Sequence, residues 1–119
     1  MFNPTAGTEA VKKFIVDAVK VAGPDACPPY VVGVGIGGSA DYACLLAKKA
    51  LLRPLRGAKN SLSRDLLKRI NNLKIGPMGL GGRTTALAVN VLTYPTHIAG
   101  LPVAINISCH ATRSATLVL

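Results

Sequence analysis

The chain has 119 residues, of which half are hydrophobic and 16% charged, and its mean hydropathy is +0.39. That composition excludes a disordered chain, because there is ample apolar surface to build a core, and the length suits one domain over residues 1–119. Fourteen Lys and Arg against five Asp and Glu give a net charge of +9, and nine of the basic residues fall between Lys48 and Lys74 with one acid, Asp65. Such a stretch fits an anionic partner, or a solvated helix face and loop. Aromatic residues make up 4% and Trp is absent, which speaks against a base-stacking surface. No run of roughly 18 apolar residues reads as a membrane span, and no basic segment followed by an apolar run reads as a signal peptide. Cys27, Cys44 and Cys109 are odd in number and widely spaced, which fits a reducing cytoplasm better than a disulfide framework.

In chain order, Thr8 caps a helix running to about Ala22. Its Val11, Phe14, Ile15, Ala18 and Val19 make one apolar stripe, and Gly23-Pro24 stops it. Tyr30 to Ile36 is β-branched and apolar throughout, as a buried strand is. Gly37-Gly38 turns the chain, and Ser39 caps a second helix to about Leu52. A basic loop, Arg53 to Asn60, leads to a third helix that begins at Ser61 or Ser63 and points Leu66, Leu67, Ile70 and Leu73 inward. A glycine-rich loop follows from Lys74 to Arg83. Thr84 to Tyr94 reads as a strand, broken at Pro95, and the alternation of Leu101, Val103, Ile105 and Ile107 gives another that ends at Cys109. The fold class is therefore α/β, a small mixed sheet with helices packed against it. The apolar end, Ala115 to Leu119, suggests that a sheet or linker continues elsewhere.

Each motif has two readings. Gly33 to Gly38 contains a GxGxxG pattern between a strand and a helix, which suits a dinucleotide, but no acid stands at the spacing that would hold a ribose. The alternative is a tight turn. Gly76 to Thr85 approaches a phosphate-binding loop, yet Pro77 and Arg83 occupy the required Gly and Lys positions and a strand follows. A nest of backbone N–H groups remains open to an anion there. His97 lies in a loop bounded by Pro95 and Gly100, where it can serve as acid or base, or simply bond its own turn. Cys27 and Cys109 stand at element ends, whereas Cys44 sits inside a helix where a small buried hydrophobe is expected.

Five strings, taken together, resemble the α subunit of class I fumarases and L-tartrate dehydratases. They are Cys27-Pro28-Pro29 with Val31 to Gly38; Leu46-Ala47-Lys48-Lys49-Ala50-Leu51-Leu52-Arg53; Ile75 to Gly82; Pro95 to Val103; and Cys109-His110-Ala111-Thr112-Arg113. The resemblance runs in order from about Gly7 to Arg113. It implies a hydro-lyase that adds or removes water on a small dicarboxylate, on an oxygen-sensitive [4Fe–4S] cluster held by three cysteines. By position it makes Cys27 and Cys109 two of the three cluster ligands and His97 the active-site histidine, and it gives Cys44 no role. Arg83 and Arg113 are candidates to meet a substrate carboxylate with the planar guanidinium.

The sequence also departs from the family. The family's first cluster cysteine lies in a Cys-Gln-Asp-Thr-Gly string with a catalytic aspartate, and that string does not occur here. The C-terminal swivelling domain or β subunit is absent too. The resemblance therefore implies the C-terminal half of an α subunit, a fragment of a larger hydro-lyase domain, inactive alone. Its partners would be the missing N-terminal segment, the β subunit or swivelling domain, and a second copy. The rivals are a basic nucleic-acid-binding or interaction module built on Lys48 to Lys74, and a dinucleotide-binding protein built on Gly33 to Gly38.

Overall fold

The computed structural model describes residues 1–55, 60–111 and 115–119. Helix α1 spans Gly7–Ala22, and a 3-10 turn over Gly23–Ala26 leads toward strand β1, Tyr30–Ile36. Helices α2 (Ala40–Leu51) and α3 (Ser61–Asn71) follow. A 3-10 turn at Pro77–Gly79 then precedes β2 (Ala86–Thr93) and β3 (Val103–Ser108). The three strands form one sheet in the order β2-β1-β3, with β2 parallel and β3 antiparallel to β1. The α/β reading therefore holds, and the first strand lies at the centre. Among the described residues no helix is long and apolar enough to cross a membrane.

The alternation of β1 decides which helix covers which face. Tyr30, Val32 and Val34 are fully buried against Val11, Ile15 and Val19 of α1 and Leu66 and Ile70 of α3. Each such aliphatic side chain contributes about 1.5–3 kcal/mol when fully buried. The other face presents Gly33 and Gly35, and α2 lies directly on them. A Cβ at Gly33 would collide with the Ala47 carbonyl, and one at Gly35 with the Ala43 carbonyl. The glycines of the GxGxxG pattern therefore serve helix-to-sheet packing, and Gly37 and Gly38 form a turn at φ 95 and 72. The same geometry splits the basic stretch. Lys48 and Lys49 ride on α2, and Arg64, Lys68 and Arg69 on α3, across the sheet, so they do not line one groove. Arg56 and Lys59 of that stretch lie outside the described residues.

One cap differs from expectation. Ala6, with no side-chain bond, precedes α1, so Thr8 falls inside the helix rather than capping it. Helix α3 begins at Ser61, one of the two expected starts, and Asn60 caps it, its Oδ1 accepting from Ser63 N at 2.7 Å. Cys44 is exposed rather than buried. Ala43, Ala47 and Ala50 already fill the sheet-facing positions of α2, and a residue one step on is turned away by the helical pitch.

Candidate functional site at the cysteine end of the sheet

Both terminal cysteines come to one end of the sheet. Cys27 ends the 3-10 turn three residues before β1 begins. Ser108 of β3 pairs with Val31, so Cys109 leaves the sheet at the level of Tyr30. Antiparallel pairing thus puts two cysteines that are 82 positions apart in the chain (109 − 27) at the same end of the sheet. Both are exposed and free of disulfides. Among the described residues no group of three or more His, Cys, Asp and Glu is placed to hold a metal ion.

The local backbone at this end is strained. Among the described residues three non-glycine positions have positive φ, namely Cys27 (56), Lys74 (53) and Met78 (56), and all three lie in the segments that enter β1 and β2. Such conformations cost about 1–2 kcal/mol each outside glycine and gather where a loop is over-determined by its neighbours. Here the neighbours are evident. Met78 N donates to Pro28 O at 2.8 Å, and a Cβ at Gly79 would lie 2.5 Å from Pro24 Cβ, so the glycine loop is laid onto the Cys27 segment. A Cβ at Gly76 would strike the Gly81 carbonyl. Two further bonds close the frame: Gly76 N donates to the buried Thr85 Oγ1, and Asn71 Oδ1 accepts from both Thr85 N and Ala86 N. Arg83 is exposed on this loop. Arg113 lies outside the described residues.

Tyr30 marks the same end from within the core. Its side chain is fully buried and its hydroxyl has no partner among the described residues. Burial alone pushes its phenol above the usual range.

His97 is not with the cysteines. It lies in the loop joining β2 to β3, and both Thr93 and Val103 pair with Ile36, at the far end of β1. Seven residues of extended strand separate the two ends, roughly 20 Å at about 3.3 Å per residue. The loop is tied down there. Thr96 Oγ1 donates to Gly100 O (2.8 Å) or Gly38 O (3.2 Å), Gly37 N donates to Pro102 O, and Gly38 N to Pro95 O. Tyr94 stacks edge-on against Tyr42 at 4.8 Å. His97 Nδ1 accepts from Ala99 N at 3.1 Å, an arrangement that suits the Nε2–H tautomer of the neutral ring.

Lys74 was not among the residues singled out from the sequence. It lines a cleft with Arg83 at the end of α3, where its backbone is left-handed.

A family model described as fumarate hydratase (Fumerase) matches residues 1–118. A protein of Methanocaldococcus jannaschii that carries the provisional name L(+)-tartrate dehydratase subunit alpha is 48% identical over 121 residues, covering 97% of this chain and 42% of the relative. The L(+)-tartrate dehydratase subunit alpha of Escherichia coli K12 is 35% identical, over 98% of this chain and 40% of the relative. That of Escherichia coli UTI89 is 36% identical, over 96% and 39%. The chain thus spans about two fifths of the length of these relatives. With the family match running over nearly every residue, and both cysteines and the glycine loop inside it, the chain belongs to the fumarate hydratase (Fumerase) family.

Proposed function

We propose that this chain is part of an iron–sulfur hydro-lyase that adds water to, or removes it from, a small dicarboxylate of the fumarate/malate or tartrate type. The observation that carries the reading is the convergence of Cys27 and Cys109 on one strained, glycine-framed end of the sheet. Two exposed thiols fit a [4Fe–4S] cluster as two of its three protein ligands, since thiolates are the ligands such clusters take. The third thiol comes from another segment. When bound, the cluster supplies an iron with an open coordination position, a Lewis acid that makes hydroxide a tolerable leaving group. Arg83 holds a substrate carboxylate through its planar fork, with Arg113 as the second candidate.

His97 enters this scheme only from a second copy. Its own cysteines are a strand length away and its loop is pinned, so the imidazole that faces a given thiol pair belongs to a neighbouring chain in a symmetric pair. The other partners are the β subunit or swivelling domain and the segment that carries the third cysteine. The setting is the reducing cytoplasm, where exposed thiols stay reduced.

The chain alone is inactive on this reading, because it presents two of the three thiols and lacks the string that carries the family's catalytic aspartate. The test is anaerobic reconstitution with iron and sulfide, for the chain alone and for the chain assembled with its complementary segments. The assembly gains a cluster and turnover, and loses both in Cys27→Ser and Cys109→Ser. Robust fumarate or tartrate turnover by the chain alone overturns the inactivity, and full cluster loading in either serine variant overturns the ligand assignment.

A further inference from the structure

Between the end of α3 and the glycine loop lies a cleft of about 360 Å³, lined by Asn71, Asn72, Lys74, Gly82 and Arg83. That volume is at the small end of ligand pockets, which run from about 300 to 1,000 Å³. No carboxylate lines the cleft, and neither Lys74 nor Arg83 has an ion-pair partner among the described residues. By contrast Arg69, one turn earlier on α3, is committed to Glu9 and Asp65.

The walls are built rather than incidental. Asn71 Oδ1 is occupied by two backbone donors at 2.9 Å each, which leaves its amide nitrogen as a donor group. Lys74 N donates to Asn71 O at 3.1 Å, and Gly81 N to Ile75 O at 2.8 Å. Lys74 itself is held at φ 53, a conformation that a lysine does not choose unaided. Gly82, at φ 115, carries no side chain to fill the space. The charged and amide groups are thus an ammonium, a guanidinium, the Asn71 amide whose oxygen is already spent, and the amide of Asn72. One feature opposes an anion: the C-terminus of α3 carries about half a negative charge. Two whole positive charges outweigh it.

We propose that this cleft binds a small organic dianion, with one carboxylate on the Arg83 guanidinium and the other on the Lys74 ammonium. The cleft lies at the end of the sheet where Cys27 and Cys109 emerge, and Lys74 becomes a second anchor beside Arg83. The choice of a dicarboxylate over another dianion rests on the hydro-lyase reading. The anion site itself does not.

The test is an amide NMR titration of the full chain, without metal, using succinate as the probe, because it has two carboxylates and no hydroxyl to eliminate. Inorganic phosphate is the comparator. Saturable shifts are expected at Gly82 and Arg83 and not at Gly37 or Gly38. Lys74→Gln and Arg83→Gln each weaken binding about tenfold, as loss of one charge-assisted contact does, and Lys48→Gln and Lys49→Gln leave it unchanged. Both cleft positions are exposed loop residues, and a melting curve for each variant verifies that the fold is kept. The proposal is overturned if no saturable shift occurs at millimolar succinate, if shifts spread evenly over the basic surface, or if both cleft variants bind as the parent does. Saturation by phosphate but not succinate overturns the dicarboxylate assignment. A cluster that fails to assemble in the reconstitution leaves this titration untouched, so the two readings fail separately.

Discussion

Two inactive variants, mixed, should recover activity if His97 serves a neighbouring copy. His97→Asn keeps both thiols and loses the imidazole; Cys109→Ser keeps the imidazole and loses a thiol. Within one chain the two groups are separated by β1, roughly 20 Å at about 3.3 Å per residue, and two side chains cannot close that gap. Nor can the loop swing across, because bonds to Gly37, Gly38 and Gly100 and the Tyr42–Tyr94 contact hold it. In a two-fold pair assembled from equal amounts of both variants, half of the pairs are mixed, and each mixed pair has one complete site of two. The expected recovery is therefore about one quarter of the parent rate, since a closed pair uses the same surface on both members. The assay is initial-rate hydration of fumarate or dehydration of tartrate by the reconstituted assembly, as the ratio of the variants is varied. A mixture no more active than its components refutes the cross-copy reasoning, and a fully active His97→Asn assembly refutes any role for this histidine.

Three further outcomes concern the fold. Tyr30→Phe removes a buried hydroxyl that has no partner, so urea unfolding should show a gain of about 1 kcal/mol, and a loss of that size would reveal a partner. In Gly35→Ala, the new Cβ would lie 2.8 Å from Ala47 N and 2.9 Å from Leu46 Cβ, so α2 must lift. Denaturant titration should read a loss of about 2–3 kcal/mol, with an unchanged midpoint refuting the close approach. Lys12, then Arg69, hold the carboxyls of Glu9 and Asp65 below their ordinary values of 4.5 and 3.8. A depressed carboxyl stabilises the fold above its unfolded value and ceases to do so as pH falls through the folded one. The link from α1 to α3, including the 2.8 Å Lys12–Asp65 contact, therefore weakens as pH drops below about 4.5, and the acid limb of the melting temperature should flatten in Lys12→Gln.

Much of the local structure was legible because the deciding forces are local. Tyr30 to Ile36 reads as a strand and is one, since seven β-branched, aromatic and glycine residues cannot bury all round as a helix of that length. Leu66 and Ile70 face inward as their spacing requires. The caps were less legible. Asn60, Ser61 and Ser63 are all competent capping residues, and the choice among them depends on where the chain arrives from Arg53, which no local pattern records. The roles of Gly33 and Gly35 were hidden for a related reason. A glycine that admits a phosphate and a glycine that admits a helix are the same residue, and only the presence of Ala43 and Ala47 against them separates the two.

The placement of the site divides along the same line. That His97 and Cys109 lie apart was already in the sequence: Val103–Ser108 intervenes, and a residue before a strand and a residue after it leave from opposite ends. Recognition of both as site residues obscured this, because membership of one motif series says nothing about distance. The position of Cys27 was not legible in that way. It precedes β1, and it meets Cys109 only if β1 and β3 run antiparallel; parallel pairing would have sent the two thiols to opposite ends and put Cys27 with His97. Pairing sense is a property of how the connecting segments pack. Here α2 and α3 both intervene between β1 and β2, giving the parallel pair, while the short Pro95–Pro102 link must carry the chain past β1 from one edge to the other. A chain that leaves β2 at the Ile36 end and has only that link available re-enters the sheet from the same end, which forces β3 to be antiparallel and takes Cys109 to the end of the sheet where Cys27 lies. The shared end of Cys27 and Cys109 thus follows from the pairing sense of β3, which the short Pro95–Pro102 link sets.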